Sequence, residues 1–443
     1  MMTIAETKTV EDIPIYRAGA TDAESDRAFQ NDPMNFHLQA YREMGPVYRT
    51  WFRNRHYVVL AGVEANDFIW RNGKLWSYAH ANAPFLDEMG PDHVTALDGE
   101  HHRQKRAILK PAFDQIPAMR YLPDFNHWFA HDIAAAAPKP VELISFWGEL
   151  ITKINSKTVA QAEIGDDLIP GLARWEFLML RGLFLDENRK DYIAQEHYRQ
   201  LKARAFEVMG RIVDERLANP DLIDDNFGRT LKARMKVEGD SPDRDNLIND
   251  LYLILLAGTD NTSNLINWAL IFTYHDQAWL AALREEVDRW DGEDVMALAG
   301  MPRLKATILE TQRVRPGVFT LTKYPVEAFE FGGYHIPAGT PLLHPNTMTH
   351  YLEQFYPEPF RFNPARFVEN GAFAPKTNGT FGGGTHVCLG RNHSMMQSPV
   401  ALARVVRDYE LTFVEKQDFG VKVGYGGGRL DSELWVRLEP RRR

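Results

Sequence analysis

Along residues 46–62, PVYRTWFRNRHYVVLAG, apolar and polar side chains alternate, and the alternation turns at Arg53–Asn54. A period of two on both sides of a turn predicts a β-hairpin. Downstream the period changes to that of a helix. Helical spacing runs from about His101 to Lys110, Leu122 to Ala136 and Phe146 to Val159, and again near 278–290, 302–314 and 392–407. Two more helices fall within 168–218, the second spanning EHYRQLKARAFEVMGRIVDERLA. Residues 245–275 read as one long, mostly buried helix started by Ser241–Pro242. Short strands are expected around 329–343, and a terminal strand pair around the glycines 426–428. Residues 1–45 read as an irregular lead-in with a short helix near Phe36–Met44, and 77–98 as a long loop without clean periodicity. The pattern predicts a mainly α chain with small β-sheets near both ends, in the α+β class.

Composition fits a globular chain, 44% hydrophobic and 12% aromatic. At 443 residues, length alone suggests about three domains. No Pro/Ser/Gly-rich linker, internal repeat or low-complexity tract offers a place to cut. The expectation is one domain over 1–443, its first ~30 residues irregular. The net charge of −9 favours solubility and argues against general nucleic-acid binding. The opening MMTIAETKTVEDIPIYR lacks a basic start followed by an apolar run, and no stretch of about 18 apolar residues appears. A soluble cytoplasmic protein is expected.

One cysteine rules out an internal disulfide and makes its setting, FGGGTHVCLG at 381–390, informative. Glycines let a chain wrap closely, and exposed N–H groups near a sulfur stabilise its negative charge. A helix starting just after Gly390 would point its positive end at Cys388. One thiolate cannot hold a bare zinc or an iron–sulfur cluster, but it can be the axial ligand of a haem. A lone cysteine is otherwise most often a small buried hydrophobe. A nucleophile beside His386 is another reading, although neighbours at i−2 do not by themselves form a dyad. The glycine frame alone does not decide.

The segment resembles the haem-binding loop of the cytochrome P-450 superfamily, with Phe381, Gly384, His386, Cys388 and Gly390 on the signature positions. Other segments resemble the family in the same order from about residue 30 onward. The resemblance implies one domain, with haem b between the long central helix and the helix after the cysteine loop. ETQR, Glu310–Arg313, is similar to the family's E-x-x-R helix, and YPEPFRFNPARF (356–367) to its meander, where Arg366 would complete a buried triad. His102 and Arg106, within DGEHHRQKRAILKPAF, fall on the positions of the helix crossing the haem edge. Two propionates need cationic donors, and i, i+4 spacing sets two side by side. Lys323 stands where the family usually carries a further propionate arginine, and His386 is also at a propionate-contacting position.

LLAGTDNTSN (255–264) interrupts an apolar helix with polar residues, and Gly258 costs it about 1 kcal/mol against alanine. A packed, Ser/Thr-bonded kink is one reading. The segment also resembles the family's oxygen-activation motif. Ala257, Gly258, Asp260 and Thr262 match, whereas Asn261 replaces a threonine. An amide donates a hydrogen bond but cannot relay a proton as a hydroxyl can. Protons would then come through Asp260 with water, through Thr262, or from a polar group of the substrate.

By the same resemblance the 77–97 loop, the region near 168–190, residues 317–321 and the 426–428 turn would border the pocket. Phe85, Phe319 and Leu321 are candidate apolar walls beside Ala257. Arg103, Lys105, Lys110 and Arg391 could form a basic docking face for an acidic ferredoxin. No flavin or nicotinamide motif appears, so electrons would come from a ferredoxin and its NAD(P)H-dependent reductase. The implied activity is O2-dependent hydroxylation or dealkylation of a small lipophile of terpenoid, steroid, fatty-acid or aromatic type. Alternatives are a peroxide-using or reductase-independent haem-thiolate enzyme, and a non-catalytic haem- or ligand-binding protein.

Overall fold

The computed structural model describes residues 8–183, 189–219, 225–414, 421–424, 427–430 and 433–442. The hairpin forms as the alternation requires. Val47–Phe52 pairs antiparallel with Arg55–Leu60, and Arg53 and Asn54 both take positive φ, 50° and 59°. Two left-handed residues match the twist of the flanking strands. Leu342–His344 joins the hairpin in parallel, and Leu321–Lys323 completes a four-stranded sheet. A second sheet gathers Val141–Glu142, Trp435–Pro440 and Tyr409–Phe413, which lie far apart in sequence.

Helices Leu122–Ala136, Pro302–Val314 and Glu196–Ala218 keep the limits that periodicity sets. They belong to a large helical core that includes Phe129, Trp147, Trp175, Trp268 and Leu304. A smaller core, with Phe29, Tyr48, Phe52 and Tyr351, lies on the sheet side.

Three expectations need correction. The amino-terminal lead-in carries a helix, Asp22–Asn31, closed by a Thr21–Glu24 capping box. Residues 77–98 are not an open loop but hold short helices at Tyr78–Ala81 and Ala83–Met89. Their first turn is fixed by Asp98, whose carboxylate accepts from the Tyr78 N–H at 2.5 Å. The helix expected over 245–275 is two helices, Arg244–Leu255 and Thr259–His275. The first is capped by Asp243, not by Ser241–Pro242. No helix among the described residues is long and apolar enough to cross a membrane.

Candidate active site

Cys388 sits between a 3₁₀ turn, Gly384–His386, and the helix Arg391–Asp408, and its N–H donates to the Phe381 carbonyl at 2.9 Å. Gly382 and Gly384 both hold φ at +66°, and a Cβ on Gly383 or Gly384 would strike Trp70. These glycines therefore let the loop lie flat against Trp70, a partner the loop sequence does not announce. The sulfur is exposed to an interior cavity while ringed by protein. Burial pushes the thiol pKa up; the N–H groups of Gly390 and Arg391 and the charges of Arg106 and Arg391 push it down. The positive end of the following helix thus faces the sulfur.

A stack of rings closes one rim of this cavity. His386 lies between Tyr78, with ring centroids 3.3 Å apart, and His102, at 3.5 Å. His386 Nε2 donates to the Leu97 carbonyl at 3.1 Å. Lys323 Nζ stands 4.1 Å from the Tyr78 ring centroid, and burial draws its pKa down to about 7. Arg106 Nη1 donates to the Val387 carbonyl at 2.8 Å. His102 Nε2 is buried with no hydrogen-bond partner. His102, Arg106, Lys323 and His386 thus line one cavity together with Phe381, Cys388 and Gly390.

The opposite wall is the break between the two central helices. The Ala257 N–H donates to the Tyr252 carbonyl five residues back, and the Thr259 N–H to Leu256 only three back. The regular ladder is lost, and the Leu255 carbonyl instead accepts from Asn155 Nδ2 at 3.2 Å. Asn155 comes from a π turn, Asn155–Val159, and its Oδ1 accepts from Gln397. Ala257, Gly258, Asn261 and Thr262 line the cavity with Cys388. Asp260 does not. It turns to a second cavity of about 400 Å³, with Glu149, Arg174, Ser263 and Asn267.

Phe85 and Leu321 line the main cavity, whose volume is about 630 Å³. Phe319, expected as a pocket wall, does not: it is buried in the sheet-side core, 6.4 Å from the stacked ring of His37. Strand-like alternation sends Val318 and Thr320 inward and Phe319 the other way. The terminal hairpin docks on the cavity helix, Gly428 O accepting from Trp268 Nε1 at 2.7 Å. The tip of its turn, 425–426, lies outside the described residues.

Behind the cysteine loop, Glu310 is fully buried and accepts from Arg313, Arg366 and the Asn363 N–H. The expected basic face is thinner than its sequence. Lys105 is buried on Asp250, at 2.6 Å, and on Asp92, while Arg103 and Lys110 pair with Glu100 and Asp114 on the surface. Arg315 is a residue that motif reading missed. It lines the cavity two positions after the E-x-x-R arginine.

The donor set fits a haem. A thiol opens into a cavity whose other rim gathers an arginine, a lysine and two imidazoles, one with an unmatched nitrogen. The family model for cytochrome P450 matches residues 175–423. The chain belongs to the cytochrome P450 family. Cytochrome P450 135B1 of Mycobacterium tuberculosis is 28% identical over 354 residues, covering 77% of this chain and 73% of that one. Cytochrome P450 120 of Synechocystis is 24% identical over 404 residues, 89% of this chain and 90% of that one. Among solved structures, retinoic acid-bound cyanobacterial CYP120A1 superposes with a TM-score of 0.83 at 21% identity, covering 97% of this chain and 99% of the other. A cytochrome P450, CYP102L1, gives 0.80 at 20% identity, with 98% and 100% covered. This P450 is a haem-thiolate monooxygenase whose iron is held through cysteine, and its chain contains one cysteine.

Proposed function

We propose that this P450 hydroxylates or oxidatively dealkylates a small lipophile in the cytoplasm, with electrons from an external ferredoxin and its NAD(P)H-dependent reductase. The observation that carries the reading is one cavity in which Cys388 is accompanied by Phe85, Ala257, Leu265 and Leu321. When bound, haem b supplies the oxidative chemistry and the protein supplies orientation and electrostatics. Cys388 would hold the haem iron as thiolate; burial pushes its thiol pKa up, and the Gly390 and Arg391 N–H groups oppose that. His102, Arg106, Lys323 and His386, which line the rim, would hold the propionates. The Glu310–Arg313–Arg366 cluster keeps the wall behind the loop rigid.

Across the cavity, Asn261 can donate a hydrogen bond from Nδ2, while the Thr262 hydroxyl can both accept and pass on a proton. Asp260, on the second cavity behind the break in the helix, is the group through which protons would enter from that side. Asn261 also favours a second reading, in which peroxide replaces the reductase.

Reconstitution with a ferredoxin, its reductase and NADPH separates the two, tested on a panel of terpenoids, steroids, fatty acids and methoxyarenes. NADPH-dependent product is expected. Product from hydrogen peroxide alone, with none from the ferredoxin system, would replace this reading by the second.

A further inference from the structure

Arg315 stands on the cavity wall. Among the described residues it makes no ion pair, and its side chain donates one hydrogen bond, from Nη1 to the Val314 carbonyl at 2.9 Å. Nε is buried without a partner. The guanidinium carbon lies 4.8 Å from the Trp268 ring centroid and 5.7 Å from that of Phe272. Burial pulls its pKa below the usual arginine value, against the charges of Tyr351 and Asp32. A guanidinium kept partly from water, with donors unused, is costly until an anion reaches it.

The other cations of the cavity are engaged elsewhere. Arg53 lies over the Phe52 ring, 5.0 Å from its centroid, Arg55 donates to the Tyr57 and Tyr324 hydroxyls, and Arg106 to the Val387 carbonyl beside the thiol. Lys323 and His102 belong to the ring stack at the rim. Arg315 is on another wall, where the helix Thr259–His275 meets the terminal hairpin. A Cβ on Gly428 would come within 3.0 Å of Arg315 Cδ, so a glycine there keeps the arginine's place open.

We propose that Arg315 anchors a carboxylate of the substrate, making that substrate an acid with an apolar body. The proposal rests on the monooxygenase reading for the chemistry, but its binding claim stands apart from turnover. A planar guanidinium matches a carboxylate in a two-point pair. Trp268 follows Asn261 by seven residues on one helix, which places it on nearly the same face. At about 1.5 Å per residue the two are ~10 Å apart along the axis. Between them Asn264 and Leu265 line the cavity. With its carboxylate over Trp268 and its body along this wall, the substrate presents a carbon well removed from the carboxylate to the cysteine side.

The test titrates the haem-loaded enzyme with dodecanoic acid, methyl dodecanoate and dodecan-1-ol, read by the Soret spin shift and by calorimetry. The acid should bind on the order of tenfold or more tighter than the ester, as one charge-assisted pair implies. Arg315→Leu should erase that preference. Arg315→Lys, which keeps charge without the fork, should retain part of it. Equal binding of acid and ester by the native enzyme, or a preference that survives in Arg315→Leu, would overturn the proposal. So would oxidation at the carbon next to the carboxyl group. Arg315-dependent acid binding with no product from either electron source would instead sink the monooxygenase reading and leave the anchor in place. Product from the ester and none from the acid would do the reverse.

Discussion

Arg313 and Arg315 are two residues apart and meet opposite fates. Arg313 is fully buried, and each of its three side-chain nitrogens donates: to Glu310, and to the carbonyls of His350, Pro359 and Arg361. Arg315 follows the end of the same helix, and its side chain gives one hydrogen bond, to a neighbouring carbonyl. One arginine is buried among partners that the chain supplies. The other faces a cavity and keeps donors that no described residue fills. In a folded protein the first pattern marks structure and the second a binding wall.

The largest expected effect falls on the satisfied arginine. Arg313→Ala leaves Glu310 buried with one partner fewer, and should cost about 3–5 kcal/mol. Urea unfolding of the haem-loaded protein checks this, and a loss under about 1 kcal/mol would dissolve the contrast. Next comes the helix break. Thr262→Val should lower the product rate on the order of a hundredfold, as loss of a proton-passing hydroxyl does. Asn261→Thr should raise product formed per NADPH consumed. An unchanged yield in both variants would move proton delivery away from this segment.

A smaller effect comes from the sheet-side core. His37 is fully buried on the Tyr48 hydroxyl at 2.6 Å, and burial lowers its pKa to about 3. The unfolded chain then takes the proton first. His37 therefore contributes stability that is complete above about pH 6.5 and is lost as pH falls toward 3, by about 1.4 kcal/mol per pH unit. His37→Phe should flatten that part of the stability–pH curve, measured by urea titration at several pH values. The smallest stability effect belongs to Arg315→Leu, at most about 1 kcal/mol from the lost ring contact. Substrate preference should change while stability hardly does.

What could be read in the sequence was local. Arg53–Asn54 placed a turn, Leu122–Ala136 and Pro302–Val314 kept their helical period, and ten residues around Cys388 carried a family resemblance. What escaped needed distant partners. LYLILLAG is apolar throughout, so nothing in it shows that Asn155, a hundred residues away, caps the Leu255 carbonyl at the break. Tyr78 sits in a stretch without period, held by Asp98 from twenty residues on, and the ring stack it makes with His386 is tertiary. Phe319 was placed one strand position out of phase, which reversed its face. The Thr21–Glu24 capping box was present in the sequence and passed over. Arg315 carried no motif at all, and only the cavity around it gives it meaning.

The most direct measurement is the reduced carbon monoxide spectrum of the purified native protein beside Cys388→Ser. The account predicts the strongly red-shifted Soret band of a thiolate-ligated haem in the native protein, and its loss in the serine variant with haem still bound. A native spectrum without that band, or a serine variant that kept it, would contradict Cys388 as the iron ligand and remove the basis of the active site described above.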